Sequence, residues 1–193
     1  MVPEEIRHQY PKTFQLTNGR PFTIRLMQPT EEDKRAILSF ARTLNENDLL
    51  YLRTDITDPG VISQWIRNVE TGQTTSLIAE ADDQVAGYAS VHNEPARWTR
   101  CVGELRVNAG QRFRGAGLGR ALVAEAFSLG QALGLRKLYG MLTPDQHGAR
   151  TAFERLGFRV EAALHEWVQD RGGRLRDILI LTHEVDGFTD QAA

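Results

Sequence analysis

Residues 110–120 read GQRFRGAGLGR, four glycines and three arginines in eleven positions, and a helical run follows at once. The first N–H groups of a helix have no partner inside it, and the helix dipole favours an anion there. Glycine lets the backbone approach such an anion closely. Arg112, Arg114 and Arg120 add guanidinium groups suited to charge-assisted bonds with phosphate oxygens. The stretch therefore predicts a cradle for a phosphate or pyrophosphate. Its backbone from Gly115 through Ala116, Gly117 and Leu118 to Gly119 would do the holding.

Two well-known phosphate loops do not fit. Gly110 and Gly115 have the spacing of an NTPase P-loop, but Ala116 and Gly117 stand where Lys and Ser/Thr belong. Gly115-Ala116-Gly117 begins a dinucleotide fingerprint, but Arg120 replaces its last glycine. No acidic residue follows at the end of the next strand.

The elements around the loop place it. Two β-prone runs flank Asn18-Gly19, a hairpin signal. Thr30, with acidic residues after it, opens a helix to about Thr43, and Asp58-Pro59 opens a second to about Val69. SLIAEA and QVAGYASVHNE flank Asp82-Asp83 as a hairpin, and CVGELRVN is the next strand. The glycine segment then opens a helix over roughly 117–133, with Leu118, Leu122, Ala126, Leu129 and Leu133 on its buried stripe. RKLYGML reads as a strand. Pro144 starts a helix that Gly157 ends, and two strands around Asp170–Gly173 close the chain. The order ββ-α-α-βββ-α-β-α-ββ predicts an α/β fold, a mixed sheet with helices against it. One domain should span 13–186, between a flexible segment 1–12 and a tail 187–193.

Composition narrows the class. The chain has 193 residues, 41% hydrophobic and 25% charged, the usual globular mix. A net charge of −2 gives no sign of nucleic-acid binding. No apolar run nears the roughly 20 residues of a membrane span. The N-terminus has no apolar signal region. The single cysteine, Cys101, rules out an intrachain disulfide and fits a cytoplasmic protein. It reads as a small strand residue rather than a nucleophile. The five histidines show no metal-ligand spacing, so no metal is expected.

A third loop design does fit. Arg114-Gly115-Ala116-Gly117-Leu118-Gly119 matches [QR]-x-x-G-x-[GA], the acyl-CoA loop of the Gcn5-related N-acetyltransferases. ARTAFERLGF resembles that family's second block, A-x-x-L-Y-x-x-x-G-F. From about 23 to 186 the chain follows the family's order of elements. LTNGRPFTIRLMQPTEEDKRAILSF and LNENDLLYLR look like the acetyltransferase domain of bacterial Pat-type protein-lysine acetyltransferases.

The resemblance implies the GNAT fold and direct transfer of acetyl from acetyl-CoA, a co-substrate, to a primary amine. That amine could be a protein lysine, an N-terminus or a small molecule. It implies that the backbone N–H of Val107 grips the thioester carbonyl, with Leu105 and Arg106 lining the pantetheine. It makes Glu104 the candidate base, because a lysine-like ammonium with a pKa near ~10.4 is no nucleophile. His92 and Glu94 are the alternatives. Gln146 stands where many members have a pantetheine-contacting Asn, and Phe153 where many have the Tyr that reprotonates the thiolate. A phenyl ring cannot donate a proton; Tyr139 is a possible substitute, with a buried strand aromatic as the plainer reading. The Phe153 substitution leaves open a catalytically silent acyl-CoA-binding regulatory domain. Leu49 to Arg53 fall where the family's first two helices meet and acceptor choice is shaped. Arg53 is either a carboxylate holder or a solvated arginine. Trp98 falls near the expected acceptor cleft, and Asp177 reads as structural. The final hairpin implies a possible homodimer; no nucleic acid or membrane partner is expected.

Overall fold

A computed structural model describes residues 2–45, 48–49, 52–94, 97–170 and 172–185. Eight strands form one sheet in the order β1-β2-β3-β4-β5-β6-β8-β7. They are β1 (Lys12–Gln15), β2 (Pro21–Leu26), β3 (Thr74–Ala81), β4 (Gln84–His92), β5 (Val102–Ala109), β6 (Lys137–Leu142), β7 (Arg159–Gln169) and β8 (Leu175–Glu184). Among the described residues only β5 and β6 pair in parallel. The expected mixed α/β sheet of the GNAT fold is thus present.

The described helices are α1 (Glu4–Arg7), α2 (Glu31–Ala41), α3 (Pro59–Glu70), α4 (Leu118–Ala132) and α5 (His147–Glu154). Thr30 caps α2 by accepting from Asp33 N, and Asp58 caps α3 with Pro59 in its first turn. α2 and α3 cover one face of the sheet, where Ile37, Phe40, Ile62 and Trp65 bury against Ile78 and Tyr88. α4 and α5 cover the other, where Leu118, Leu122, Ala126 and Phe153 meet Leu77, Leu105 and Leu138. Among the described residues no helix is long and apolar enough to cross a membrane.

Tight turns follow the local sequence. Asp82 and Asp83 take φ of 53° and 58°, the left-handed pair that closes a two-residue hairpin. At Asn18-Gly19 only Gly19 turns positive, at 81°.

Three elements depart from expectation. Residues 2–11 hold α1 and pack on the domain. Ile6 is buried in the core, and Tyr10 donates its hydroxyl to Glu125 of α4 at 2.8 Å. The mostly polar segment gave no sign of this, because its few apolar residues, Val2, Ile6 and Tyr10, are enough to anchor it. α5 begins at His147 rather than Pro144. Gln146 Oε1 accepts from Thr143 N at 2.9 Å, closing a turn that holds residues 144–145 outside the helix. Residues 186–193, which include the tail expected from 187, lie outside the described residues.

Candidate functional site

β5 and β6 open a slot in the middle of the sheet. Their register runs through Val102↔Lys137, Gly103↔Leu138 and Glu104↔Tyr139 and stops there, although β5 continues to Ala109 and β6 to Leu142. The ladder to β4 fixes which way the unpaired backbone points. Gly110 N donates to Ala86 O at 2.8 Å, and the β4–β5 register runs without a break. In an antiparallel ladder directly bonded pairs alternate. Asn108, Arg106 and Glu104 therefore bond toward β4, whereas Val107 turns its N–H the other way. It does so past the last β5–β6 pair, into the slot.

Side chains alternate across the same strand. Leu105 and Val107 pack into the α4 side of the core. Glu104 and Arg106 emerge on the α2–α3 face. Arg106 was expected to line the pantetheine with Leu105; its backbone follows the last β5–β6 pair, while its side chain points to the face opposite that of Leu105. It lies across the sheet from α4, where Nη2 donates to Glu104 Oε2 at 2.9 Å.

On the α4 side the slot runs toward the glycine loop. A 3₁₀ turn (Gln111–Phe113) leads into Gly115 at φ 71° and Gly117 at φ 94°, then into α4. Gly117 gives α4 no side-chain cap, and the first bond of the helix is Ala121 N to Gly117 O. The N–H groups of Leu118, Gly119 and Arg120 thus have no partner within the helix. Thr17 N donates to Ala116 O, so the β1–β2 turn braces the loop.

Gly119 is informative. Its φ is not positive, and a Cβ built there would meet nothing within 4 Å. Neither backbone strain nor protein packing calls for glycine, so the free space lies outside the protein. A chain of phosphates fits that open cradle, and the residues present suit the pyrophosphate of acetyl-CoA. Arg112 and Arg120 are exposed beside it. Arg114, expected to face phosphate, instead gives Nη2 to the buried carboxylate of Asp48. No sequence signal pointed to Asp48, 66 positions away.

On the α2–α3 side the slot opens on a cavity of about 370 Å³, walled by Arg53, Thr74, His92, Glu104, Arg106 and Tyr139 among others. Glu104 is buried at its centre. Arg53 Nη1 donates to both of its oxygens, at 2.8 and 2.7 Å. Arg53 thus holds a carboxylate of the protein itself. Burial alone would raise the Glu104 carboxyl. Hydrogen bonding and charge from Arg106, then Arg53, more than offset that and hold it below the usual carboxylate range. Tyr139, opposite Glu104 in the register, also bonds Arg53, and burial raises its hydroxyl pKa. His92 Nδ1 lies 3.0 Å from Thr74 Oγ1. Burial first, then the charge of Arg106, pushes the imidazole down to about 4, so it is neutral near pH 7.

The remaining expected residues sort by position. Gln146 spends its carbonyl on Thr143 N. Phe153 is 3% exposed, set edge-on against Phe158 and pressed on Gly140 of β6, where a Cβ would come within 2.7 Å of its ring. Glu94 lines the cavity but pairs with Arg97. Trp98 is 92% exposed, next to Thr99 of the cavity wall. Cys101 is exposed, and its carbonyl accepts from Arg136 and Lys137. Asp177 accepts from His165 and Glu166 N on the exposed final hairpin, well apart from the cavity wall. Leu49 packs against the α2–α3 core, while Leu50 and Tyr51 lie outside the described residues. No group of three or more metal-ligating side chains occurs among the described residues.

Known structures share this frame. A ribosomal-protein-alanine N-acetyltransferase from Brucella melitensis is 27% identical, with a TM-score of 0.72, over 82% of this chain and 98% of that one. The yncA protein of Salmonella typhimurium, solved with its cofactor acetyl-CoA, is 21% identical, with a TM-score of 0.73, over 86% of this chain and 94% of that one. The ribosomal-protein-S5-alanine acetyltransferase of Vibrio fischeri is 14% identical, with a TM-score of 0.75, over 91% of this chain and 98% of that one. No curated protein matches. The profile of the acetyltransferase (GNAT) family matches residues 37–158, which hold β5, the glycine loop, α4 and α5, and the chain belongs to that family.

Proposed function

We propose that this protein transfers acetyl from acetyl-CoA directly to a primary amine. One observation carries the reading. The Val107 N–H points into a slot that joins an open glycine cradle on one face of the sheet to a polar cavity on the other. Acetyl-CoA would lay its pyrophosphate on the N–H groups of Leu118 to Arg120 and its pantetheine in the slot beside Leu105. When bound, it supplies the thioester. The chain's own residues do the rest.

Val107 N–H offers a hydrogen bond where the thioester oxygen gains negative charge, a placement that favours the transition state over the ground state. The acceptor amine enters from the cavity and attacks the carbonyl carbon; the C–S bond breaks and CoA leaves as thiolate. A thiol pKa near ~8.5 makes that departure tolerable without a strong acid, in keeping with Phe153 in the core. Glu104 takes the proton lost by the amine, directly or through water. Held ionised by two guanidinium groups, it can pass a proton on to water but not keep it.

The acceptor class remains the wider one of the family: protein lysine, protein N-terminus or small amine. The Pat-type likeness of the N-terminal half favours lysine. The Brucella neighbour is by its name an N-acetyltransferase of a ribosomal-protein alanine. The test is acetyl-CoA-dependent thiol release over a panel of lysine peptides, N-terminal peptides and small amines. Amine-dependent release supports transfer. A raised melting temperature with acetyl-CoA but no release from any acceptor would replace it with an acyl-CoA-binding regulatory domain. The homodimer and the cytoplasmic location belong to the same proposal, and sedimentation of the purified chain checks the first.

A further inference from the structure

The cavity wall carries more positive than negative charge. Glu104 is one carboxylate set against two guanidinium groups, Arg53 and Arg106. The other acidic side chain of the wall, Glu94, is matched by Arg97 at 2.5 Å. His92 is neutral and adds nothing to cancel the surplus. Glu104 does not saturate Arg106 either, whose buried Nε has no hydrogen-bond partner. Amides and hydroxyls, among them Asn68, Gln73, Asn93 and Thr99, make up most of the rest of the lining, with Val102 as an apolar member.

This surplus is awkward for one class of acceptor and suits another. A polyamine or a lysine side chain would bring a bare ammonium against two arginines in a half-enclosed space. An acceptor with a carboxylate beside its amine enters with no net charge. Its carboxylate meets the guanidinium groups, and its amine is left facing the slot. The surplus also disfavours the ammonium form of that amine, which cannot attack. Size agrees: about 370 Å³ is at the low end of small-molecule sites, which run from about 300 to 1,000 Å³.

We propose that the acceptor is a free amino acid, bound by its carboxylate at Arg53 and Arg106, with its side chain among the amides of the cavity. The proposal rests on the acetyltransferase reading above. In the transfer, the amine nitrogen forms a bond to the acetyl carbon, the carbon–sulfur bond breaks, and the electron pair leaves on sulfur. The amine proton passes to Glu104 and on to water.

The experiment pairs each of the twenty amino acids with its carboxamide, which keeps the amine and removes the negative charge. Acetyl-CoA-dependent thiol release is measured for the wild type, Arg53→Gln and Arg53→Lys. Arg53 is partly exposed, so these variants keep the fold. Binding of acetyl-CoA is checked first by melting temperature. The expected result is that at least one amino acid exceeds its amide by about tenfold or more in kcat/KM, the scale of one charge-assisted contact. In Arg53→Gln that preference should shrink, chiefly through a higher KM, and in Arg53→Lys it should partly return. Equal rates with acids and amides would overturn the proposal. So would release with lysine peptides or polyamines but with no amino acid, though that result leaves the acetyltransferase reading intact. Failure of acetyl-CoA to bind would sink that reading itself, and this proposal with it.

Discussion

Arg53 Nη1 sits 2.8 and 2.7 Å from the two carboxylate oxygens of Glu104, across 51 positions of sequence. The contact ties the connection between α2 and α3 to the strand that lines the slot. It also helps Arg106 to hold down the proton affinity of that carboxylate. Removing Arg53 takes away one of the influences that hold Glu104 low, so its carboxyl rises. Arg53→Gln should therefore move the acid limb of the kcat/KM profile to higher pH. Glu104→Gln should lower kcat by about a hundredfold or more, as loss of a general base usually does, without moving KM for acetyl-CoA. An unchanged kcat would remove Glu104 from the proton path.

Gly119 separates folding from binding. It lies in the first turn of α4, has ordinary helical φ and no neighbour within 4 Å of a Cβ. Alanine there improves helix propensity by about 0.5–1 kcal/mol. Gly119→Ala should keep or slightly raise the melting temperature of the free protein while weakening acetyl-CoA by about tenfold, read as KM or by calorimetry. Undiminished affinity would mean that the phosphates do not lie over this turn.

Phe153 belongs to the core. Phe153→Ala should cost about 3–5 kcal/mol in denaturant unfolding, as for other buried phenylalanines. Phe153→Tyr restores the residue common in the family but buries a hydroxyl, at about 1–3 kcal/mol if it finds no partner. It should not raise kcat. A faster Phe153→Tyr enzyme would show that the ring edge reaches the sulfur.

His92 makes the fold sensitive to mild acid. Its folded pKa is about 4, below the ordinary 6.5, because burial and Arg106 oppose the charged form. Between those values the unfolded chain binds the proton and the folded chain does not. Stability then falls as pH drops from about 6.5 toward 4. The loss over that window is on the order of 3 kcal/mol. In His92→Gln the curve should be flatter above pH 4.5, where Glu104, also lowered, has yet to contribute. Parallel unfolding curves for the two proteins would contradict this account.

Much of the fold was legible before any coordinates. The Asp82-Asp83 hairpin, the Thr30 and Asp58 caps, the buried stripe of α4 and the glycine loop each depend on residues a few positions apart. Turn geometry, helix period and backbone N–H exposure act over that range, so residue type and spacing determine them. The sheet alternation of β5 was legible in the same way, and it puts the Glu104 side chain on the face opposite Leu105.

What only the tertiary structure decided lies between distant segments. The parting of β5 from β6 after Glu104↔Tyr139 depends on how two strands joined through α4 diverge. The hold of Asp48 on Arg114 and that of Arg53 on Glu104 bring together residues that no local pattern links. The sequence by itself determined a glycine-rich loop that leaves free N–H groups at the start of α4. Packing decided which carboxylate stays ionised, which arginines are spent on it, and how much positive charge remains for the acceptor. Those quantities depend on burial and on distances across the fold, and neither is written in neighbouring residues.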